Sequence, residues 1–170
     1  DYRGVDLSGC TRLDGCSFCL RGADGGAWST PAMTLASRQL EALGRTHPRR
    51  GGRLAVRAVG TPFVREADAF ADLVRQTDLP PIDFLLDTRA DTLVAQRLRL
   101  DRAAALLRGT GHRLHIALVG LESFSNVDLE RLNKGTTWRD NLLAAKTLFE
   151  LEREHPQEFR FREHGGLSLL

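Results

Sequence analysis

The sequence predicts an α/β fold built on a parallel sheet. Short apolar runs alternate with helical stripes along the whole chain, so strands and helices take turns in the order β-α-β-α-β-α-β-α-β,. The apolar runs before the last end in glycine, proline or a polar cluster, as strands do when they feed a loop; Leu167 to Leu170 has no turn signal after it,. The chain has 170 residues, whereas a complete eight-unit barrel takes about 250. The expectation is therefore a partial (β/α) barrel or an open sheet, folded as one domain spanning 1–170 and incomplete on its C-terminal side.

Val5-Asp6-Leu7 reads as a first strand feeding a loop that carries Cys10, Cys16 and Cys19 and continues through Gly22, Gly25 and Gly26. Met33, Ala36, Leu40 and Leu43 recur at helical spacing, with Gly44 and Pro48 as stop signals. Leu54 to Val59 is the second strand, ended by Gly60-Thr61-Pro62. Ala67, Phe70, Ala71 and Val74 mark a second helix, halted by Pro80-Pro81. Ile82 to Leu86 is a third strand leading into Asp87-Thr88-Arg89, and helical composition returns from Leu98 to Arg108 before Gly109 and Gly111. Leu114 to Val119 is the fourth strand and ends at Gly120-Leu121-Glu122-Ser123. A long helix starts near Thr137, where Thr137 and Asp140 have capping-box spacing; its predicted core face is Trp138, Leu142, Ala145 and Phe149. Leu167 to Leu170 places the end of the chain in or near a fifth strand. The chain starts at Asp1 rather than Met, which reads as the interior of a longer protein.

Hydrophobic residues make up 42% of the chain and charged residues 27%, a composition that excludes a disordered polypeptide,. No apolar run approaches the ~18–20 residues of a membrane span, and no signal peptide opens the sequence. The formal net charge of +2 is too small to argue for nucleic acid,. Arg45, Arg49, Arg50, Arg53 and Arg57 cluster, but no aromatic residues are interleaved for base stacking, so a solvated arginine-rich loop is the expectation. His115 has the opposite parity to Leu114, Ile116, Leu118 and Glu122 along an unbroken strand, which predicts that His115 and Glu122 face opposite sides. Glu163 and His164 fall near the base of the last strand and carry no assignment.

The three cysteines, Cys10, Cys16 and Cys19, all lie within ten residues and directly follow the first strand, at the end where such folds place their chemistry,. An odd number in one short cluster is poor material for a disulfide framework. Three readings stand. A cubane iron–sulfur cluster held by three thiolates keeps one iron open to a small molecule, since full protein ligation takes four. A structural zinc site needs a fourth ligand from His47, His112, His115, His155 or His164, none at finger-like spacing. A disulfide with a spare thiol needs an oxidising compartment.

Cys10-x5-Cys16-x2-Cys19, with Phe18 just before the last cysteine, resembles the cluster motif of the radical S-adenosylmethionine enzymes; the first gap is five residues where three is usual. Asp87-Thr88-Arg89-Ala90-Asp91 resembles the end of that family's third strand. Gly120-Leu121-Glu122-Ser123, followed by Leu132-Asn133-Lys134-Gly135-Thr136, resembles its fourth-strand block. The resemblance implies a partial TIM-like (β/α) barrel in the cytoplasm, with a 4Fe–4S cluster on Cys10, Cys16 and Cys19. It also implies S-adenosylmethionine on the open iron, cleaved by one electron to a 5′-deoxyadenosyl radical that abstracts hydrogen from an unidentified substrate. An electron donor such as a flavodoxin or ferredoxin follows as a partner, with no membrane and no nucleic acid. Residue by residue, Phe18, Gly60, Thr61, Glu122, Ser123 and Lys134 map onto cofactor-binding positions, Thr61 standing where the family often has glutamate. Glu122 and Ser123 map to the ribose hydroxyls, Lys134 to the methionine carboxylate, and Arg89 to the cofactor or substrate, unless it only pairs with Asp87 or Asp91. The alternative from a different class is a non-catalytic binding module whose cysteine loop is clamped by zinc or an iron–sulfur cluster.

Overall fold

A computed structural model describes residues 30–47, 52–58, 62–161 and 166–169. The predicted first strand, the three cysteines and Phe18 lie outside these residues. So do Gly60, Thr61, Glu163 and His164.

The described chain alternates helices with parallel strands. Helix α1 (Thr30–Thr46) is followed by β1 (Leu54–Ala58), α2 (Pro62–Arg65), α3 (Ala67–Gln76) and β2 (Ile82–Arg89). Next come α4 (Ala90–Ala95), α5 (Arg97–Leu107), β3 (Arg113–Glu122), α6 (Asn126–Arg131) and α7 (Trp138–Glu154). The last elements are β4 (Phe159–Arg160) and β5 (Gly166–Leu169). The sheet order is β1-β2-β3-β4 with every pair parallel, and β5 pairs with β3 further along the same side. The α/β class and the parallel sheet are thus those the sequence predicts, and the C-terminal apolar run is a strand.

The strands are two-sided. Ile82, Phe84, Leu86 and Thr88 of β2 alternate as buried positions, and Leu114, Ile116, Val119 and Leu121 do so on β3. The apolar ones among these side chains join Phe70, Ala71 and Val74 of α3, Leu100, Ala103 and Leu107 of α5, and Ala144, Leu148 and Leu151 of α7 in one core. Phe63, Phe70 and Phe84 meet edge to face within it, with centroids 5.0 and 5.1 Å apart,. The opposite face of the sheet is rich in charge. Arg53 donates to Asp83 at 2.9 Å, and Arg57 grips Asp87 with bonds of 2.8 to 3.1 Å. Two of the five clustered arginines therefore lie against carboxylates of the neighbouring strand.

Three expectations are corrected. In the register, Leu86 pairs with Ile116 but Asp87 pairs with Leu118, so Ala117 is an extra residue in β3,. This bulge resets the alternation: Val119 and Leu121 take the core side, and His115 and Glu122 share the charged side. Secondly, Gly44 does not stop α1. A Cβ there would lie 2.6 Å from the Asp78 carbonyl oxygen, so the glycine lets the helix pass close to the α3–β2 connection,. Thirdly, the core face of α7 is Asn141, Ala144, Thr147, Leu148, Leu151 and Glu152. Trp138 (39% exposed), Leu142 (55%) and Phe149 (52%) are on the outside. The buried row is displaced by one residue, about 100° of rotation, from the row of largest apolar side chains. It contains polar groups because they have work at the sheet: Glu152 accepts from the Phe161 N–H, and Asn141 holds a strand end.

The two faces of α7 give a direct prediction. Leu148→Ala should destabilise the protein by about 2–5 kcal/mol in urea titrations, the loss of a buried leucine. Leu142→Ala should change stability by less than ~0.5 kcal/mol.

Candidate functional site

The carboxyl ends of β2 and β3 bring together Arg89, Glu122 and Lys134, three of the residues singled out in the sequence. Glu122 is the last residue of β3, and its backbone has φ +65°. That region suits glycine; a side chain held there stores roughly 1–3 kcal/mol of strain and persists only where surrounding contacts impose it. The Ser123 N–H donates to the Leu121 carbonyl at 2.9 Å, closing a three-residue turn around Glu122,. Asn141, fully buried in the first turn of α7, donates from Nδ2 to the carbonyls of Leu121 at 2.8 Å and Ser123 at 2.7 Å.

Lys134 arrives through a helix-ending motif. Beyond α6, the Asn133 N–H donates to Glu130 and the Lys134 N–H to Leu129, both at 2.9 Å, with Asn133 at φ +47°. This is the Schellman pattern, with asparagine in the left-handed position and Lys134 immediately after it. Lys134 Nζ then donates to Glu122 Oε1 at 2.9 Å, with side-chain exposures of only 4% and 6%. Breaking a buried ion pair by removing one partner is typically strongly destabilising, by about 3–5 kcal/mol.

Gly120 makes room for this pair. It shares the charged face with Glu122, and a Cβ on it would lie 2.8 Å from Glu122 Oε1 and 2.9 Å from Lys134 Nζ. Arg89, at the end of β2, reaches across to the Lys134 carbonyl at 2.6 Å and holds Asp91 through Nε and Nη2, each at 3.0 Å. The Thr92 N–H also donates to Asp91, at 2.8 Å. Partial burial by itself would raise the Asp91 carboxyl. The hydrogen bonds and charge of Arg89, the Thr92 N–H and the charge of Lys134 outweigh it and hold the group below the ordinary carboxylate value,.

Ser123 lies beside Glu122, but its hydroxyl serves the local turn, accepting from the Ser125 N–H at 3.0 Å and donating to Asp128 at 3.3 Å. Ser125 in turn caps α6 by accepting from the Asp128 N–H,. A cavity of about 250 Å³ opens next to these residues, lined by Glu122, Ser123, Asp128, Arg131 and Leu132. Among the described residues no group of three or more His, Cys, Asp or Glu could hold a metal ion, and no helix is long and apolar enough to cross a membrane. Cys10, Cys16, Cys19, Phe18, Gly60 and Thr61 fall outside the described residues.

Sequence reasoning missed Gly120 as a cradle and Asn141 as a clamp. Asn141 had a readable signal: it opens the 3-4-3 row Asn141, Ala144, Leu148, Leu151, and a polar residue at the head of a buried row needs a partner. No family model, curated protein or solved structure matches the chain.

The geometry yields two predictions. Gly120 has no positive φ, so Gly120→Ala meets no backbone strain and its effect is the collision with the ion pair. It should destabilise by about 1–3 kcal/mol in urea titrations. Because the Asp91 carboxyl is held down in the folded state, its contribution is complete above the unfolded value of about 3.9 and is lost as pH falls through the lower folded value,. Asp91→Asn should therefore lower the melting temperature at pH 7, and the gap from the parent should close as the pH is brought down past the ordinary carboxylate value and through the lower folded one,.

Proposed function

We propose that the chain is the core of a radical S-adenosylmethionine enzyme, a partial TIM-like barrel working in a reducing, cytoplasmic compartment. The observation that carries this reading is the buried Glu122–Lys134 pair at the carboxyl end of an interior parallel strand. These are the two positions to which the resemblance assigns the ribose and the carboxylate of the cofactor. Ligands of parallel α/β sheets bind outside that end of the strands, which further supports the reading.

The donor set suits the cofactor. Glu122 offers a carboxylate for the ribose hydroxyls, and Lys134 an ammonium for the methionine carboxylate. Charge-assisted hydrogen bonds in so dry a place are stronger than neutral ones. Cys10, Cys16 and Cys19 would hold the 4Fe–4S cluster, which when bound supplies an electron at low potential. Arg89 keeps the Lys134 loop against the end of β2 through its bond to the Lys134 carbonyl. The apolar core directly beneath, with Val119 and Leu121 fully buried, keeps water from the underside of the site,.

Anaerobic reconstitution should load about four irons and four sulfides per chain, and a reductant should then release 5′-deoxyadenosine from S-adenosylmethionine. Cys16→Ala should lose both. Glu122→Gln should keep the iron but bind S-adenosylmethionine about tenfold or more weakly. Stoichiometric zinc without iron–sulfur absorbance would replace this reading with the metal-clamped binding module.

A further inference from the structure

We propose that Asn141 is a positioning residue: it holds Glu122 in its left-handed conformation and so keeps the Glu122–Lys134 pair assembled before any ligand arrives. The Leu121 carbonyl, on the peptide preceding Glu122, accepts both from the Ser123 N–H and from Asn141; the Ser123 carbonyl accepts from Asn141 as well. One side-chain amide thus brackets the turn from both sides, and its two hydrogens are both committed.

The other half of the amide points to the same role. Asn141 Oδ1 is buried and has no hydrogen-bond partner among the described residues. An acceptor in that state is a liability that leucine at the same place would avoid, so what the asparagine contributes is its pair of donors. The clamp is rigidly mounted. Thr137 and Asp140 form a reciprocal capping box at the start of α7, and Asn126 Oδ1 accepts from the Trp138 N–H at 3.0 Å,. The segment from Lys134 to Asn141 therefore holds Glu122 in two ways, by an ammonium on its carboxylate and by an amide on the carbonyls of its two chain neighbours. The consequence for cofactor affinity rests on the function proposed above; the consequence for Lys134 does not.

The chain has only two lysines, which makes the test direct. The Lys146 side chain is 68% exposed and serves as the internal standard, against 4% for Lys134. The folded protein is labelled with an amine-reactive ester, and the two sites are compared by peptide mass spectrometry. Asn141→Leu, which keeps the bulk and removes both donors, should raise labelling of Lys134 relative to Lys146 by about tenfold or more, as local opening becomes accessible. Asn141→Ser, too short to span both carbonyls and gentle on folding, should move it in the same direction. Thr147→Val, further along the buried face of α7, should leave Lys134 protected. Protection retained in Asn141→Ser, or lost equally in Thr147→Val, would overturn the proposal. Calorimetry with S-adenosylmethionine on the reconstituted proteins separates the two readings. A parent that binds none, alongside deprotection of Lys134 in the Asn141 variants, removes the proposed function and leaves the positioning role in place.

Discussion

Glu122 and Lys134 meet as opposite charges with almost no access to water, and a charge buried so far is costly unless it is paired and hydrogen-bonded,. That requirement organises the carboxyl end of the sheet. Gly120 vacates the volume the pair occupies, and the turn at Leu121–Ser123 swings the carboxylate into it. The Schellman ending of α6 delivers the ammonium, while Arg89 fastens the delivering loop to the next strand. Two of these features are locally unfavourable on their own, the left-handed Glu122 and the buried Lys134. A left-handed glutamate and a buried lysine are conformations that a chain adopts only where several contacts agree.

The placement of the pair depends on two irregularities of β3, the extra residue Ala117 and a second register shift against β5 between Gly120 and Glu122. With Ala117 inserted, the core row reads Leu114, Ile116, Val119, Leu121 and the charged row takes in His115, Leu118, Gly120 and Glu122. The bulge thus lets a strand that is apolar over most of its length still present a carboxylate on the polar side at its end.

Much of the fold was legible in the sequence because strand-length apolar runs and helix-period stripes are local signals. The strands at Leu54, Ile82 and Leu114, the buried set Ala67, Phe70, Ala71 and Val74, and the Thr137–Asp140 cap follow from spacing alone. Short helices were not legible: α4 and α6 have six residues each, too few to show a period,. The parity of His115 failed because a bulge leaves no mark in a run where Ala117, Leu118 and Val119 are all apolar. The buried face of α7 does not follow the row of its largest apolar side chains: the helix buries Asn141 and leaves Trp138 outside. At the site, Glu122, Lys134 and Arg89 were recognisable by their resemblance to a known pattern. Gly120 was not, since a missing side chain acquires meaning only in three dimensions; Asn141 is legible only as a polar residue heading a buried row, and the carbonyls it bonds lie 18 and 20 residues away.

The Schellman ending of α6 also bears on how the site comes into being. The Lys134–Glu122 bond spans 12 residues, and the bonds from Asn141 to Ser123 and Leu121 span 18 and 20. The bond from Arg89 to Lys134 reaches further, across 45. Closing such short loops is entropically cheap and fast, so the grip on Glu122 belongs to the low-contact-order part of the molecule.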